Sequence, residues 1–155
     1  MITFKAESRL CSVVVSFSPT DLEKISNGSL KRVIRKRYPR TGTPDWIYLW
    51  AKAPVSAIVG RAPIIKIGAI TRDEALQQHK LFCLSREEVK SYCANCETLG
   101  VFVLGAYEHA STPQGLRKLS EAGRFHPPQS FLYLSGPGEK FLCAKSSFKL
   151  KKAST

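Results

Sequence analysis

Short apolar runs alternate with polar turns along the chain, and most of them have the length and composition of β-strands. Residues 11–17 are apolar and β-branched, which predicts a buried strand. A short helix is expected after it, with Ser18 or Thr20 as N-cap and its end at Asn27 and Gly28. A basic strand follows at 31–37, and further strands are predicted at 46–50, 57–62, 64–67, 101–107, 131–134 and 141–143.

Aromatic and aliphatic residues alternate in the predicted strand at 46–50. Trp46, Tyr48 and Trp50 share one face, and Ile47 and Leu49 share the other. Because successive side chains of a strand point to opposite faces, the two sets are expected to enter different environments.

The helical signals are concentrated between residues 71 and 97. Ser85 and Glu88 have the spacing of a capping box, which predicts a helix start, and a short helix is also expected at 116–119. These short strands with a couple of helices predict an α+β fold, specifically a small mixed β-barrel with helices packed outside. Residues 1–140 are expected to form a single domain, followed at 141–155 by a last short strand and a basic C-terminal tail.

Composition supports a folded domain and restricts the cellular compartments in which it is expected. The chain has 155 residues, 43% of them apolar, which is enough for one hydrophobic core. No run of about 18 apolar residues exists, so a membrane-spanning helix is excluded and no membrane role is expected. The N-terminus lacks a signal-peptide pattern and the five cysteines are odd in number, so we expect reduced thiols in a cytoplasmic protein.

Positive charge is the most informative chemical feature of the sequence. Lys and Arg number 24 against 12 Asp and Glu, a formal net charge of +12. Six of the ten residues from Lys31 to Arg40 are basic and none is acidic. Nucleic acid is the commonest partner of such a cluster. With a period of two, one face of this strand is expected to line a cleft and the other to face solvent. A charged edge strand that prevents aggregation is the structural alternative.

The order of these segments resembles that of the ASCH domains, which are part of the PUA-like superfamily. A short helix ends at Gly28 and is followed by the basic strand, as in the opening motif of that family. The segments that continue the resemblance, over about residues 13–134, are 47–50, 53–55, 58–60, 84–89 and 127–134.

The resemblance implies a small PUA-like mixed β-barrel with a cleft beside the helix–strand motif, where RNA or single-stranded nucleic acid binds, in a regulatory role. Some small relatives are amidohydrolases in which a Lys and a Thr carry the chemistry. Leu30 and Val33 occupy the matching positions here, and Lys31 lies one residue late. The resemblance therefore argues for holding nucleic acid more than for catalysis.

These observations define a candidate binding surface for RNA or single-stranded DNA. Stacked bases are expected on Tyr48 or Trp50, although aromatic residues at this spacing also suit a core. The residues expected to contact phosphates are Lys31, Arg32, Arg35, Lys36, Arg37, Arg40, Lys52 and Arg61.

Other chemistries have weaker signals. His79, Cys83, Cys93 and Cys96 could supply zinc ligands, but buried free thiols are the default interpretation, and no metal or cofactor is expected. Lys31 is the candidate if the chain is an enzyme, either a ribonuclease or an amidohydrolase on a modified nucleoside. A third hypothesis is an interaction module that binds an acidic protein. The oligomeric state stays open.

Overall fold

The computed structural model describes residues 12–40, 42–122, 125–134 and 136–150. The strands are β1 (Ser12–Phe17), β2 (Arg32–Arg35), β3 (Trp46–Ala51), β4 (Ala57–Thr71), β5 (Thr98–Leu104), β6 (Glu108–Gly115), β7 (Phe131–Tyr133) and β8 (Phe148–Leu150). The helices are α1 (Pro19–Ser26), α2 (Arg72–Gln77), α3 (Arg86–Tyr92), α4 (Leu116–Ala122) and α5 (Gly136–Ser146), with a 3₁₀ turn at His79–Phe82. Within the described ranges, every helix is too short or too polar to cross a membrane.

The eight strands form one mixed sheet, which confirms the α+β class but not the barrel. The strand order is β2-β5-β4-β3-β1-β7, with β6 paired to β4 and β8 paired to β6. The β1–β3 pair is parallel and the other pairs are antiparallel. Among the described strands, β2 pairs with β5 alone and β7 with β1 alone, so the ends of the order do not meet. The expected closed barrel is therefore corrected to an open sheet.

The alternation predicted for β3 is confirmed. Ile47 and Leu49 join one buried cluster, which also contains Val13 and Phe102. Tyr48 and Trp50 enter a separate cluster on the opposite face of the sheet. The period of two thus separates the two cores that lie on either side of β3.

The strand, bend and strand expected between residues 57 and 67 are one long strand. β4 continues for 15 residues to Thr71, with a bulge between Ile64 and Lys66. Its first half pairs with both β3 and β6, and its second half pairs with β5. The bulge lies where the pairing of β4 with β3 and β6 ends and its pairing with β5 begins.

β2 is shorter and more deeply packed than the sequence indicated. Val33 is buried in the cluster that contains Phe102, and Ile34 is buried in another that contains Phe82 and Val89. The expectation that one face of this strand is open to solvent is wrong, because apolar clusters cover both faces. The basic residues therefore lie around a strand that is held on two sides.

The capping box in the helical region is confirmed. The Ser85 hydroxyl accepts the Glu88 N–H, while the Glu88 carboxylate accepts the Ser85 N–H. Helix α3 nevertheless ends at Tyr92, so Cys93 is its C-cap residue and Cys96 lies beyond it. The two cysteines therefore do not share a helix, although the helical signals in the sequence extend to residue 97.

The C-terminal region departs most from the prediction. A helix, α5, occupies residues 136–146, where the sequence predicted a strand at 141–143. Its Leu142 is buried beside Val14 and Tyr48, and β8 pairs with β6. Cys11, the first residue of the strand predicted at 11–17, lies outside the described residues. So do Lys151 and Lys152 of the predicted basic tail.

Candidate nucleic-acid interface

The basic segment, defined as residues 31–40, combines exposed cations with buried anchors. Lys31, Arg32, Lys36, Arg37 and Arg40 are exposed. The apolar residues between them, Val33, Ile34, Tyr38 and Pro39, are buried. Because the backbone is fixed by this burial, the charges are displayed at defined positions rather than on a loose chain.

The exposed cations of the basic segment have no carboxylate partner in the described part of the chain. The ion pairs found there join Arg61 to Glu108 and Arg117 to Glu121. The positive charge of the segment is therefore balanced by no acidic side chain among these residues, which leaves it available to an anionic ligand.

Arg35 differs from its neighbours because it is half-buried. Its guanidinium donates to the backbone oxygens of Ile34, at 2.8 Å, and Ser16, at 3.2 Å. It also lies 4.8 Å from the centre of the Phe17 ring. Burial lowers the pKa of Arg35 from its usual value. These contacts attach β2 to the end of β1, so Arg35 acts first as a structural residue.

The ends of three strands bring one further cation, Lys52, to this side of the molecule. Phe17 and Ala51 end the parallel strands β1 and β3 as direct partners. The next residue, Lys52, is exposed, and its N–H donates to the oxygen of Phe17 at 3.2 Å. Since Arg35 at the end of β2 reaches Ser16, the lysine lies at the same end of the sheet as the cations that follow β2.

Two of the exposed cations lie over aromatic rings. The Lys36 ammonium is 4.9 Å from the centre of the Tyr92 ring, and its backbone N–H donates to the Tyr92 hydroxyl. The Arg40 guanidinium is 4.7 Å from the centre of the Tyr38 ring. Such contacts limit the motion of long side chains while their charges stay exposed.

Tyr48 and Trp50 are not available for stacking in this structure. Their exposed fractions are 0% and 3%. Trp50 packs against Phe125, with ring centres 5.4 Å apart, and Tyr48 packs against Phe148 at 5.6 Å. The expected role in base stacking is corrected, because the regular alternation of β3 marks a second core.

Arg61, a predicted phosphate contact, is already satisfied within the protein. Its Nε donates to Glu108 at 2.7 Å. The guanidinium lies 3.8 Å from the centre of the Trp46 ring and 4.7 Å from that of Phe148. Burial favours a lower pKa for Arg61, but the hydrogen bonds to Glu108 and Tyr48 raise it overall. We therefore remove Arg61 from the candidate interface.

Arg61 belongs to a polar network that the sequence did not reveal. The Tyr48 hydroxyl donates to Glu139 at 2.9 Å and accepts from Arg61 at 3.2 Å. The exposed thiol of Cys143 lies 3.6 Å from both the Tyr48 hydroxyl and the Arg61 guanidinium. Burial, followed by the contact with Cys143, raises the pKa of Tyr48. Glu139 and Cys143, one turn apart on α5, could have been found only by predicting that helix.

The candidate zinc ligands do not converge. Cys93 is buried, and its thiol donates to the oxygen of Val89. The Cys83 thiol donates to Ser29, and His79 Nδ1 bonds to the oxygen of Leu84. Across the described ranges, no three His, Cys, Asp or Glu side chains are arranged to hold a metal ion.

The positions that resemble the catalytic Lys and Thr of amidohydrolases face the interior. Leu30 and Val33 are both buried in the cluster that contains Phe102. Lys31 is exposed, and within the described residues it has no carboxylate partner.

Comparison with solved structures shows that the fold of this chain is of the ASCH type. ASCH from Zymomonas mobilis superposes with a TM-score of 0.81 at 22% identity, over 93% of this chain and 100% of that chain. A tyrosine-to-phenylalanine variant of that protein gives 0.80 at 24% identity, over 90% and 100%. The N-terminal domain of Staphylothermus marinus McrB gives 0.56 at 12% identity, over 86% and 93%. No protein-family model and no curated protein matches the sequence.

Proposed function

We propose that the chain binds RNA or single-stranded DNA through the exposed cations of the basic segment, with Lys52 extending the surface. The observation that carries this proposal is the set of exposed cations with no carboxylate partner among the described residues. Phosphate oxygens are the natural counter-charges, and arginine can contact them with two parallel hydrogen bonds.

The packing of β2 supports binding with little rearrangement. Val33 and Ile34 are buried on opposite faces of the strand, and Arg35 ties its end to β1. A four-residue strand extends about 13 Å, so Arg32 and Lys36 are held at separate points along this surface. A ligand with regularly spaced negative charges is favoured over a single small anion.

Fluorescence anisotropy with labelled single-stranded RNA and DNA of 20 nucleotides tests the proposal. We expect affinity to fall steeply between 50 and 200 mM salt, because bound cations release counterions from the strand. The combined variant Lys31→Gln, Arg32→Gln, Lys36→Gln and Arg37→Gln should reduce affinity at least 100-fold. It should also lower the salt slope by about 3 if all four contact phosphates of a single strand.

A matched control removes the same charge elsewhere. Lys118, Lys140, Lys145 and Lys149 are exposed residues of α4, α5 and β8, and their combined change to Gln should alter affinity less than 5-fold. Equal losses in both variants would show that only net charge matters and would reject this interface.

Gel analysis of the same RNA samples detects any cleavage. Cleavage that Lys31→Gln abolishes would favour the alternative hypothesis of a hydrolase.

A further inference from the structure

The second half of β4 presents an unpaired sheet edge. β3 and β6 pair with the same first half of β4 and so lie on opposite sides of it. β5 leads into β6 through residues 105–107, so both follow one side of β4. The register with β3 ends at Pro63, after which the Ile64 N–H still donates to the Asp45 oxygen. In the ranges that the structure describes, no strand pairs with residues 65–71 on that side.

The side chains along this edge leave it accessible. Ile65 is 64% exposed, and Lys66, Gly68 and Ala69 are also exposed. No heavy atom lies within 4 Å of the position that a Cβ would take at Gly68. Natural edges are often protected by a bulge or a lysine, and both occur here at residues 64–66. The four uncharged residues that follow, 67–70, lie beyond that protection.

A groove runs beside these unprotected residues. It has a volume of about 340 Å³, and residues 67–69 form one wall while residues 38–40 and 42–43 form the other. Arg40 lies along the groove with its guanidinium over the Tyr38 ring. Pro39, also in that wall, has no N–H group with which to pair with β4. The groove therefore combines a free strand edge with an apolar and cationic wall.

The charged residues around this edge of β4 indicate which kind of ligand it binds. Lys66 and Arg40 are exposed next to it, while Asp45 lies at one end and Asp73 and Glu74 lie beyond the other. Arg40 in the groove wall and Lys66, next to Ile67 in the chain, are therefore the charges adjacent to residues 67–69. We propose that an extended acidic segment of another protein adds to this edge of β4 as a further strand. Backbone pairing would supply affinity, and Arg40 and Lys66 would select negative side chains.

Charge also argues against a second copy of this chain in the groove. Antiparallel pairing of two β4 edges would bring the Lys66 and Arg40 residues of both copies to one interface, and like charges there are unfavourable. A nucleic acid strand lacks the alternating N–H and C=O groups of a peptide, so it could use the cations but not the edge.

Nuclear magnetic resonance of the ¹⁵N-labelled full chain tests this proposal with a capped hexapeptide of alternating glutamate and valine. Shift changes should concentrate in residues 65–70, 38–40 and 42–43. The same peptide with methylated backbone nitrogens cannot donate to an edge, and its lysine counterpart has the wrong charge. Both should bind at least 10-fold more weakly.

Protein variants separate the edge from general electrostatics. The double variant Lys66→Glu with Arg40→Glu should lower the affinity for the acidic peptide at least 10-fold. The control pair Lys140→Glu with Lys145→Glu, whose residues are also exposed, should change that affinity less than 2-fold. Thermal unfolding verifies that both remain folded. The proposal is overturned if the methylated peptide binds as tightly as its parent, or if the shifts fall only in residues 31–37. It is also overturned if the residues 65–70 respond to dilution of the chain alone, or to an eight-nucleotide RNA but not to the peptide.

Discussion

Arg61 and Arg37 carry the same charge in the sequence but lie in opposite environments. Arg61 has 18% of its side chain exposed, pairs with Glu108 and lies against the rings of Trp46 and Phe148. Arg37 is exposed and has no carboxylate partner among the described residues. The first arginine contributes to stability and the second is available for binding.

This difference shows what a charge count omits. The compensation of Arg61 depends on the β4–β6 register, which places it directly opposite Glu108. The basic segment is flanked instead by buried apolar residues that supply no counter-charge. A surplus of cations therefore identifies a binding surface only where the neighbouring strands bring no acids.

Replacing Arg61 should have the largest effect on stability. Arg61→Met removes the charged hydrogen bond to Glu108 and leaves that carboxylate without its partner, so we expect a loss of about 2 kcal/mol in the free energy of unfolding. Arg37→Met should stay within about 0.5 kcal/mol. Urea unfolding measures both, and similar losses would remove the distinction between the two regions.

Alkaline pH should weaken the region around Arg61 through Tyr48. Burial raises the pKa of Tyr48 above its usual value, so the native state favours the protonated phenol. The associated stability is complete below the pKa of an unfolded tyrosine, about 10, and falls as pH rises above it. Tyr48 should contribute up to about 1.4 kcal/mol per pH unit to this fall.

Urea unfolding between pH 8.5 and 11.5 measures that dependence. Tyr48→Phe should flatten the slope above pH 10, whereas Tyr133→Phe, which changes a tyrosine with 38% exposure, should retain it. An unchanged slope in Tyr48→Phe would mean that other groups cause the fall. Tyr107 is such a group, because burial raises its pKa as well.

The loss of stability on replacing Arg35 should lie between the losses for Arg61 and Arg37. Arg35→Met loses the hydrogen bonds to Ile34 and Ser16, and we expect a loss of about 1 kcal/mol together with weaker nucleic-acid binding. Arg35→Lys should restore part of the binding but little of the stability, because an ammonium lacks the planar fork that reaches both oxygens. Unfolding and anisotropy on the same samples separate the two effects; full recovery of stability in the lysine variant would contradict this geometry.

The smallest effect is expected for the exposed pair of Arg117 and Glu121. Their side chains are 92% and 69% exposed and lie 3.8 Å apart at the nearest atoms. A double-mutant cycle to Ala should give a coupling below about 0.5 kcal/mol, since exposed pairs are well solvated and screened. The same cycle on Arg61 and Glu108 should give a clearly larger coupling, and equal values would show that burial does not distinguish the two pairs.

The sequence predicted elements whose signals are local. The alternation in β3 was sufficient to place Tyr48 and Leu49 on opposite faces, and the Ser85–Glu88 spacing marked a helix start correctly. Both depend on residues within a few positions of each other, and tertiary packing reinforced the same preference. The ASCH fold was anticipated for the same reason, because the order of such local signals was informative.

The elements that were missed depend on distant partners. β6 is a polar segment in which only Ala110 and Gln114 are buried, and it is a strand because β4 and β8 pair with it. Helix α5 begins with Gly136, Pro137 and Gly138, which indicate a turn when considered alone. Without these two elements, Glu108 could not be placed beside Arg61, nor Glu139 beside Tyr48.

The position of β7 has a consequence for synthesis on the ribosome. Val13 in β1 pairs with Tyr133 in β7, and these residues are 120 positions apart in the chain. At about 5–20 residues per second, roughly 6–24 seconds separate their translation. During that interval β1 can acquire β3 as a neighbour but not β7, so one edge of an apolar strand remains open in the nascent chain. Chaperone demand during expression should therefore depend on how quickly the residues between β1 and β7 are translated.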